Sequence, residues 1–260
     1  MGRVISIANQ KGGVGKTTTT VNLAASLAVL ERRVLVIDLD PQGAVATCFG
    51  IRRSEIRGGM FDVFVRGERI DRFVRQVGRI PLDVVPVNIW ADDDEESYML
   101  AMRPEALRRA LLQVRECYDY ILLDNPPTIG PVAVASMYAA DSLMIPVQCE
   151  ELAVRTVGKL LRIARKVRAE QNPRLVLEGI VLTMADARTT MTAQVLNVMH
   201  GNFGRYLFRT VIPRSVDLAR VPANGEPLVY TQLNARGARG YLALASELLS
   251  REGTPREQRQ

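Results

Sequence analysis

The sequence predicts an α/β fold, a mostly parallel twisted sheet flanked by helices. Three observations carry this. Short β-branched runs alternate with longer helical patterns from end to end, as repeated βαβ units do. Most of these runs are continuously apolar, which central strands covered on both faces require. The 260 residues, 47% apolar and 24% charged, supply one full core without the imbalance of a disordered or fibrous chain. The expected organisation is one domain over residues 1–251 with a polar tail over 252–260.

The clearest strand runs are Val4 to Ala8, Val34 to Asp38, Tyr120 to Asp124, Ser142 to Val147 and Leu177 to Thr183. Helical periodicity marks Thr17 to Leu30, Pro104 to Cys117, Ala153 to Gln171, Thr190 to His200 and Arg239 to Arg251. Pro104 suits a first helical turn, where its missing N–H costs nothing. Between Gly50 and Arg103 the pattern is less regular, and the acidic run Asp92 to Glu96 reads as a surface loop or a helix N-terminus.

Charge separates the two parts of the chain. The net charge is +6, and 30 of the 34 basic residues are arginine. Up to Glu150 there are 17 basic and 19 acidic residues; beyond it there are 17 and 9. The basicity therefore belongs to the C-terminal part. No run of 18 apolar residues could span a bilayer and no signal-type N-terminus is apparent, so a cytoplasmic location is expected. Cys48, Cys117 and Cys149 are odd in number and widely spaced. They suggest core residues rather than disulfides, zinc or an iron–sulfur cluster.

The strongest local feature is Lys11-Gly12-Gly13-Val14-Gly15-Lys16-Thr17-Thr18, directly after an apolar strand and before a helix. That context is the one a phosphate loop requires. The glycines let backbone N–H groups aim at phosphate oxygens, and the following helix adds the positive end of its dipole. Lys16 supplies a mobile charge for the β and γ phosphates, and the Thr17 hydroxyl is placed to ligate Mg²⁺. Two of the four lysines in the chain lie in this window, where a planar guanidinium would fit poorly.

With Lys11 in the first position this is a deviant Walker A loop. From Val4 to Leu249 the chain resembles the ParA/Soj partition ATPases, close relatives of MinD. The resemblance implies a P-loop NTPase using ATP and Mg²⁺, with Lys11 reaching across a homodimer to the partner's nucleotide. Its second block, Val34 to Gly43, implies that hydrolysis depends on Asp40 and that Asp38 lies nearer the Mg²⁺ shell. Ala44 departs from the asparagine usual after Gln42-Gly43. The third block, Tyr118 to Pro127, makes Asp124 a Walker B ligand of a Mg²⁺-bound water, with the unusual Asn125 as a polar neighbour of the metal. Glu150, after the next strand, resembles a residue that meets the partner's ribose.

The fourth block joins Leu182 to Thr189 with Val211 to Leu218. By resemblance Thr183 and Pro213 frame the adenine, and Arg188 contacts DNA. Asp217 departs from a second DNA-binding arginine, a charge that Arg214 or Arg220 could restore. On the Ala153 to Gln171 helix, Arg155, Lys159, Arg162 and Lys166 form one cationic stripe.

The reading these residues support is an ATPase that forms an ATP-dependent sandwich dimer and binds nucleoid DNA non-specifically. A ParB-like protein would stimulate its turnover, so that it segregates or positions chromosome or plasmid DNA. Positioning of a protein cargo, such as a carboxysome or chemoreceptor array, is an alternative. A MinD-like membrane role is another, although Tyr241 to Leu249 reads as core and Glu252 to Gln260 has no bulky apolar residue. The cluster-bearing relatives of the nitrogenase iron protein need cysteines after the Walker B strand, which this chain lacks.

Overall fold

The computed structural model describes residues 2–78 and 80–252. Among them one seven-stranded sheet is built from β1 (Arg3–Ile7), β2 (Val34–Asp38), β3 (Arg75–Gln76), β4 (Leu82–Val85), β5 (Tyr120–Asp124), β6 (Ser142–Gln148) and β7 (Val176–Thr183). The order is β3-β4-β2-β5-β1-β6-β7, and every pair is parallel except β3 with β4. The α/β expectation holds.

Residues alternate across this sheet with period two. Val34 and Val36 point to one face, Leu35 and Ile37 to the other, and all four are fully buried. Side chains so buried contribute about 1.5–3 kcal/mol each, which is why continuous apolar runs form central strands. The first face is covered chiefly by α1 (Lys16–Val29), with α2 (Ala44–Cys48) at its end. The second face carries α3 (Met60–Val65), α4 (Asp92–Ala101), α5 (Pro104–Val114), α6 (Pro131–Ala139), α7 (Ala153–Glu170) and α8 (Thr190–Phe203). Three short helices, α9 (Val216–Ala219), α10 (Val221–Asn224) and α11 (Leu228–Thr231), return the chain to the first face. There α12 (Arg236–Glu252) packs on α1, burying Tyr241, Leu244, Ala245 and Leu248.

Several expectations are refined. The helix read as Pro104 to Cys117 ends at Val114, and a 3₁₀ turn over Arg115–Cys117 leaves Cys117 exposed, so only Cys48 and Cys149 are core residues. The last helix starts three residues before Arg239. The acidic run is a helix N-terminus, with Asp92 to Glu95 in the first turn of α4, where the dipole favours carboxylates. Of the tail expected over residues 252–260, Glu252 instead closes α12, and residues 253–260 lie outside the described residues.

β1, β2, β5, β6 and β7 all end at the same edge, at Ile7, Asp38, Asp124, Gln148 and Thr183. In open parallel sheets, ligands bind at this carboxyl edge.

Candidate functional site

The glycine loop leaves β1 at this edge. Gly13 and Gly15 have φ of 73° and 89°, a left-handed backbone that side-chain-bearing residues rarely adopt. Gly15 is also the N-cap of α1, so the turn that shapes the loop starts the helix. Gly12 and Gly13 are exposed while Val14 is buried and pins the loop. Asn9, which the sequence reading passed over, anchors its base. Its Nδ2 donates to the Pro146 carbonyl at 2.7 Å, and its Oδ1 accepts from the Lys11 N–H at 3.0 Å.

Lys16 is buried, with Nζ 3.4 Å from the Lys11 carbonyl inside the loop. Burial pulls its ammonium below the usual lysine range, and the Asp124 and Asp40 charges push back. The Thr17 hydroxyl donates to Asp124 Oδ2 at 2.7 Å, and that of Thr20 donates to Oδ1 at 2.8 Å. Thr20 sits three residues after Thr17, on the same helical face. Burial pushes the Asp124 carboxyl up to about 6, against these two hydrogen bonds. Thr18 is half-buried on α1, and its carbonyl accepts from Asn22.

Asp38 and Asp40 take different parts. Asp38 is fully buried, and its oxygens accept the Asp40 and Val45 N–H groups, each at 3.1 Å. It therefore shapes the loop and caps α2, which begins at Ala44 after left-handed Gly43. Burial raises its carboxyl well above the usual range, aided by the Asp124 and Asp40 charges. Asp40 keeps a small exposure and accepts the Gln42 N–H at 3.1 Å. Burial raises its carboxyl too, opposed by that hydrogen bond and by Lys16. Behind the loop the buried Tyr98 hydroxyl donates to the Leu39 carbonyl at 3.3 Å, between the two acids.

Three buried carboxylates thus face one buried ammonium. An excess of negative charge in a low dielectric favours an added cation. The oxygens of Thr17 and Asp124 form a hard-cation donor set, and Mg²⁺ fits it. No cluster of three or more His, Cys, Asp or Glu that could cage a metal occurs among the described residues. Asn125 is fully buried; its Nδ2 donates to the Ile7 carbonyl at 3.0 Å, while its Oδ1 has no hydrogen-bond partner among the described residues.

The structure brings the other predicted residues near this edge in varied roles. Glu150 holds Lys11 within the same chain, with Nζ 2.6 Å from each carboxylate oxygen. Thr183 is buried and donates to the Val14 carbonyl at 2.8 Å, bracing the loop from below. Pro213 lies alongside Ala185, whose N–H donates to the Ile212 carbonyl and whose carbonyl accepts from the Arg214 N–H. The fourth-block segments are therefore neighbours.

Arg188, Arg214 and Arg220 are exposed. Arg188 bonds both oxygens of Asp186, at 2.9 and 2.7 Å, and holds that carboxyl well below the usual range. Asp217 has a local reason: it sits in the first turn of α9, whose N-cap Ser215 accepts the Leu218 N–H, a position that favours an acid. On α7, Arg155, Lys159, Arg162 and Lys166 are all exposed, opposite buried Ala153, Val157, Leu160 and Val167.

Comparison with known proteins agrees with this architecture. The model of a family described as an AAA domain matches residues 2–177. The chain is 40% identical over 249 residues to the sporulation initiation inhibitor protein Soj of Bacillus subtilis, covering 95% of this chain and 98% of that one. It is 42% identical over 250 residues to the chromosome-partitioning ATPase Soj of Thermus thermophilus, covering 96% of each. A structure titled cobyrinic acid a,c-diamide synthase from Mycobacterium smegmatis, with a bound ATP analogue and magnesium, superposes with a TM-score of 0.82 at 31% identity, covering 98% of this chain and 97% of that one. Identity of this order, extending over nearly the full length of both Soj chains, places the chain in the Soj/ParA family of partition ATPases.

Proposed function

We propose that residues 1–251 act as one ATPase domain that hydrolyses ATP to ADP and phosphate and uses the cycle to segregate chromosome or plasmid DNA. The observation that carries this reading is the meeting of Lys16, Asp40 and Asp124 beneath one glycine loop. ATP and Mg²⁺ are its cofactors. The loop N–H groups from Gly12 to Thr18 cradle the phosphates, and Lys16 neutralises them. Thr17 and Asp124 hold Mg²⁺, with Asp38 outside them fixing the loop. When bound, the ion offsets charge that develops on the phosphate oxygens. Asp40, the least enclosed of the three acids, orients the attacking water and takes part in its deprotonation.

ATP favours a sandwich dimer. In it Lys11 leaves Glu150 for the partner's nucleotide, and Glu150 becomes free to meet the partner's ribose. Their pair is half-exposed, so parting it costs about 1 kcal/mol or less. Thr183 and Pro213 border the adenine. The dimer doubles the surface that carries Arg188, Arg214, Arg220 and the α7 stripe. Affinity for double-stranded DNA, independent of sequence, rises through added phosphate contacts. A ParB-like centromere-binding protein stimulates hydrolysis and releases the dimer, so the protein cycles on and off the nucleoid.

Nucleotide binding and phosphate release in two variants test the assignment. Lys16→Ala should lose ATP binding. Asp40→Ala should retain ATP while turnover falls about 100-fold or more, the scale expected of a general base. Normal turnover in Asp40→Ala would overturn its catalytic role.

A further inference from the structure

The edge of the sheet opposite the glycine loop holds a cavity of about 470 Å³. Its floor comes from the start of two strands, Leu143 of β6 and Leu177 of β7, with Leu175 just before β7. One wall is α7, where Leu161, Ala164, Arg165 and Arg168 recur at spacings of three and four and so share a face. The other wall is the 3₁₀ turn over Gly204–Tyr206, which contributes Arg205 and Tyr206. Thr183, which braces the glycine loop, lies six residues beyond Leu177, about 20 Å along an extended strand, so the cavity is separate from the nucleotide site.

The lining is mainly apolar and the rim carries charge of one sign. Leu143 and Leu175 are buried, but Leu161, Ala164, Leu177 and Tyr206 are only partly so, although they pack against the main core. Apolar area left open in this way is covered favourably by another apolar group. Arg165, Arg168 and Arg205 are exposed, and none has an ion-pair partner among the described residues. Among the described residues no Asp or Glu lines the cavity. The Arg205 guanidinium carbon lies 4.7 Å from the centroid of the Tyr206 ring, a contact that positions its charge without neutralising it.

Such a site is satisfied by a ligand that is both anionic and apolar. The phosphate backbone of DNA would meet the arginines and leave the apolar floor open, and a second copy of this surface would set arginine against arginine. Residues 253–260 include two arginines and no bulky apolar side chain, so their sequence does not suit it either. A mostly apolar cavity of this volume, with a few charged groups to fix orientation, has the make-up of a small-molecule pocket. Arginine pairs a carboxylate through two parallel N–H groups, which gives the head of such a molecule a defined seat. We propose that this cavity binds a free aliphatic carboxylate, a single-chain amphiphile whose tail covers Leu143, Leu161 and Leu177 and whose head pairs with Arg165, Arg168 and Arg205. The site is independent of the partition reading above.

The test is isothermal titration calorimetry of the full chain with decanoate, kept below its micelle concentration, in the parent, Arg165→Gln/Arg168→Gln and Ala164→Phe. The parent should bind one decanoate per chain. The first variant removes charge and the second fills the cavity from its wall. Each should weaken binding at least tenfold, while ATP turnover stays at the parent's rate because the nucleotide edge is untouched. Acetate, which has the head alone, and decyltrimethylammonium, which has the chain and the opposite charge, should not bind the parent. Absence of decanoate binding in the parent, or undiminished binding in Arg165→Gln/Arg168→Gln, overturns the proposal. That variant alters only exposed side chains, so it decides the matter even if Ala164→Phe fails to fold. Acetate bound as tightly as decanoate would reduce the cavity to a simple anion site and overturns the proposal as well. Hexaglutamate bound as tightly as decanoate would assign the face to an acidic polypeptide, and phosphatidylglycerol vesicles that sediment the parent but not Ala164→Phe would assign it to membrane lipid; either result overturns the free ligand.

Discussion

Asp124 joins the metal chemistry to folding. Its carboxyl titrates near 6, above the ordinary carboxylate range, because burial outweighs the Thr17 and Thr20 hydrogen bonds. A carboxyl raised in the folded state binds protons more tightly than in the unfolded chain, so nucleotide-free stability falls as pH rises from about 4 to about 6. Asp38 contributes with the same sign. Mg²⁺ needs the ionised form. The gain in Tm on adding Mg²⁺ and ADP is therefore expected to be larger at pH 7.5 than at pH 5, and Asp124→Asn should reduce that pH dependence, leaving the part due to Asp38. A thermal melt series at the two pH values checks both.

At this scale sequence spacing revealed what lies on one helix or follows one strand: Lys16, Thr17, Asp38, Asp40 and Asp124. It did not reveal Asn9, Thr20 or Tyr98, whose partners lie 137, 104 and 59 residues away. Nor did it reveal that the Asn125 amide nitrogen is tied to the Ile7 carbonyl of β1, 118 residues away.

Among the elements, long periodic helices and continuous apolar strands were legible to within a few residues. The elements between Gly50 and Arg103 were not. β3 has two residues and β4 four, too short for a period to register. α6 also escaped, because Val132, Ala133, Ala135, Ser136 and Met137 are buried around most of its circumference and leave no polar stripe. The close approach of α2 to α10 had no sequence signal either. A Cβ at Gly225 would stand 2.8 Å from Gly50 Cα, and its φ is +69°. Gly225→Ala should cost about 2 kcal/mol, lowering Tm by roughly 5 °C in a calorimetric scan. α7 supports a binding prediction. Replacing Arg155, Lys159, Arg162 and Lys166 with Gln leaves the buried face intact, so the fold should persist. If the stripe lies on DNA, the slope of log affinity against log salt should shrink by about 3. An unchanged slope in a salt titration would place the stripe off the DNA face.

For the whole molecule, the two parts of the charge distribution serve different ends. The first part, with 17 basic and 19 acidic residues, contains the carboxylates proposed to hold Mg²⁺ and the acidic first turn of α4. The second, with 17 and 9, contains α7 and the arginines near Asp186. Within the first part, the Lys11–Glu150 pair holds in one chain the two groups proposed to meet across the dimer. Lys11→Ala should therefore remain monomeric with ATP in sizing chromatography, and an intact dimer would remove the trans contact. No described helix is long and apolar enough to cross a membrane, and α12 spends its apolar face on α1. The central claim, that ATP rather than ADP makes the DNA-binding species, is tested most directly by fluorescence anisotropy of a random-sequence duplex with Asp40→Ala, compared in Mg²⁺-ATP and Mg²⁺-ADP. The account predicts tight, salt-sensitive binding with ATP and at least tenfold weaker binding with ADP. Equal affinity in the two nucleotides would contradict it.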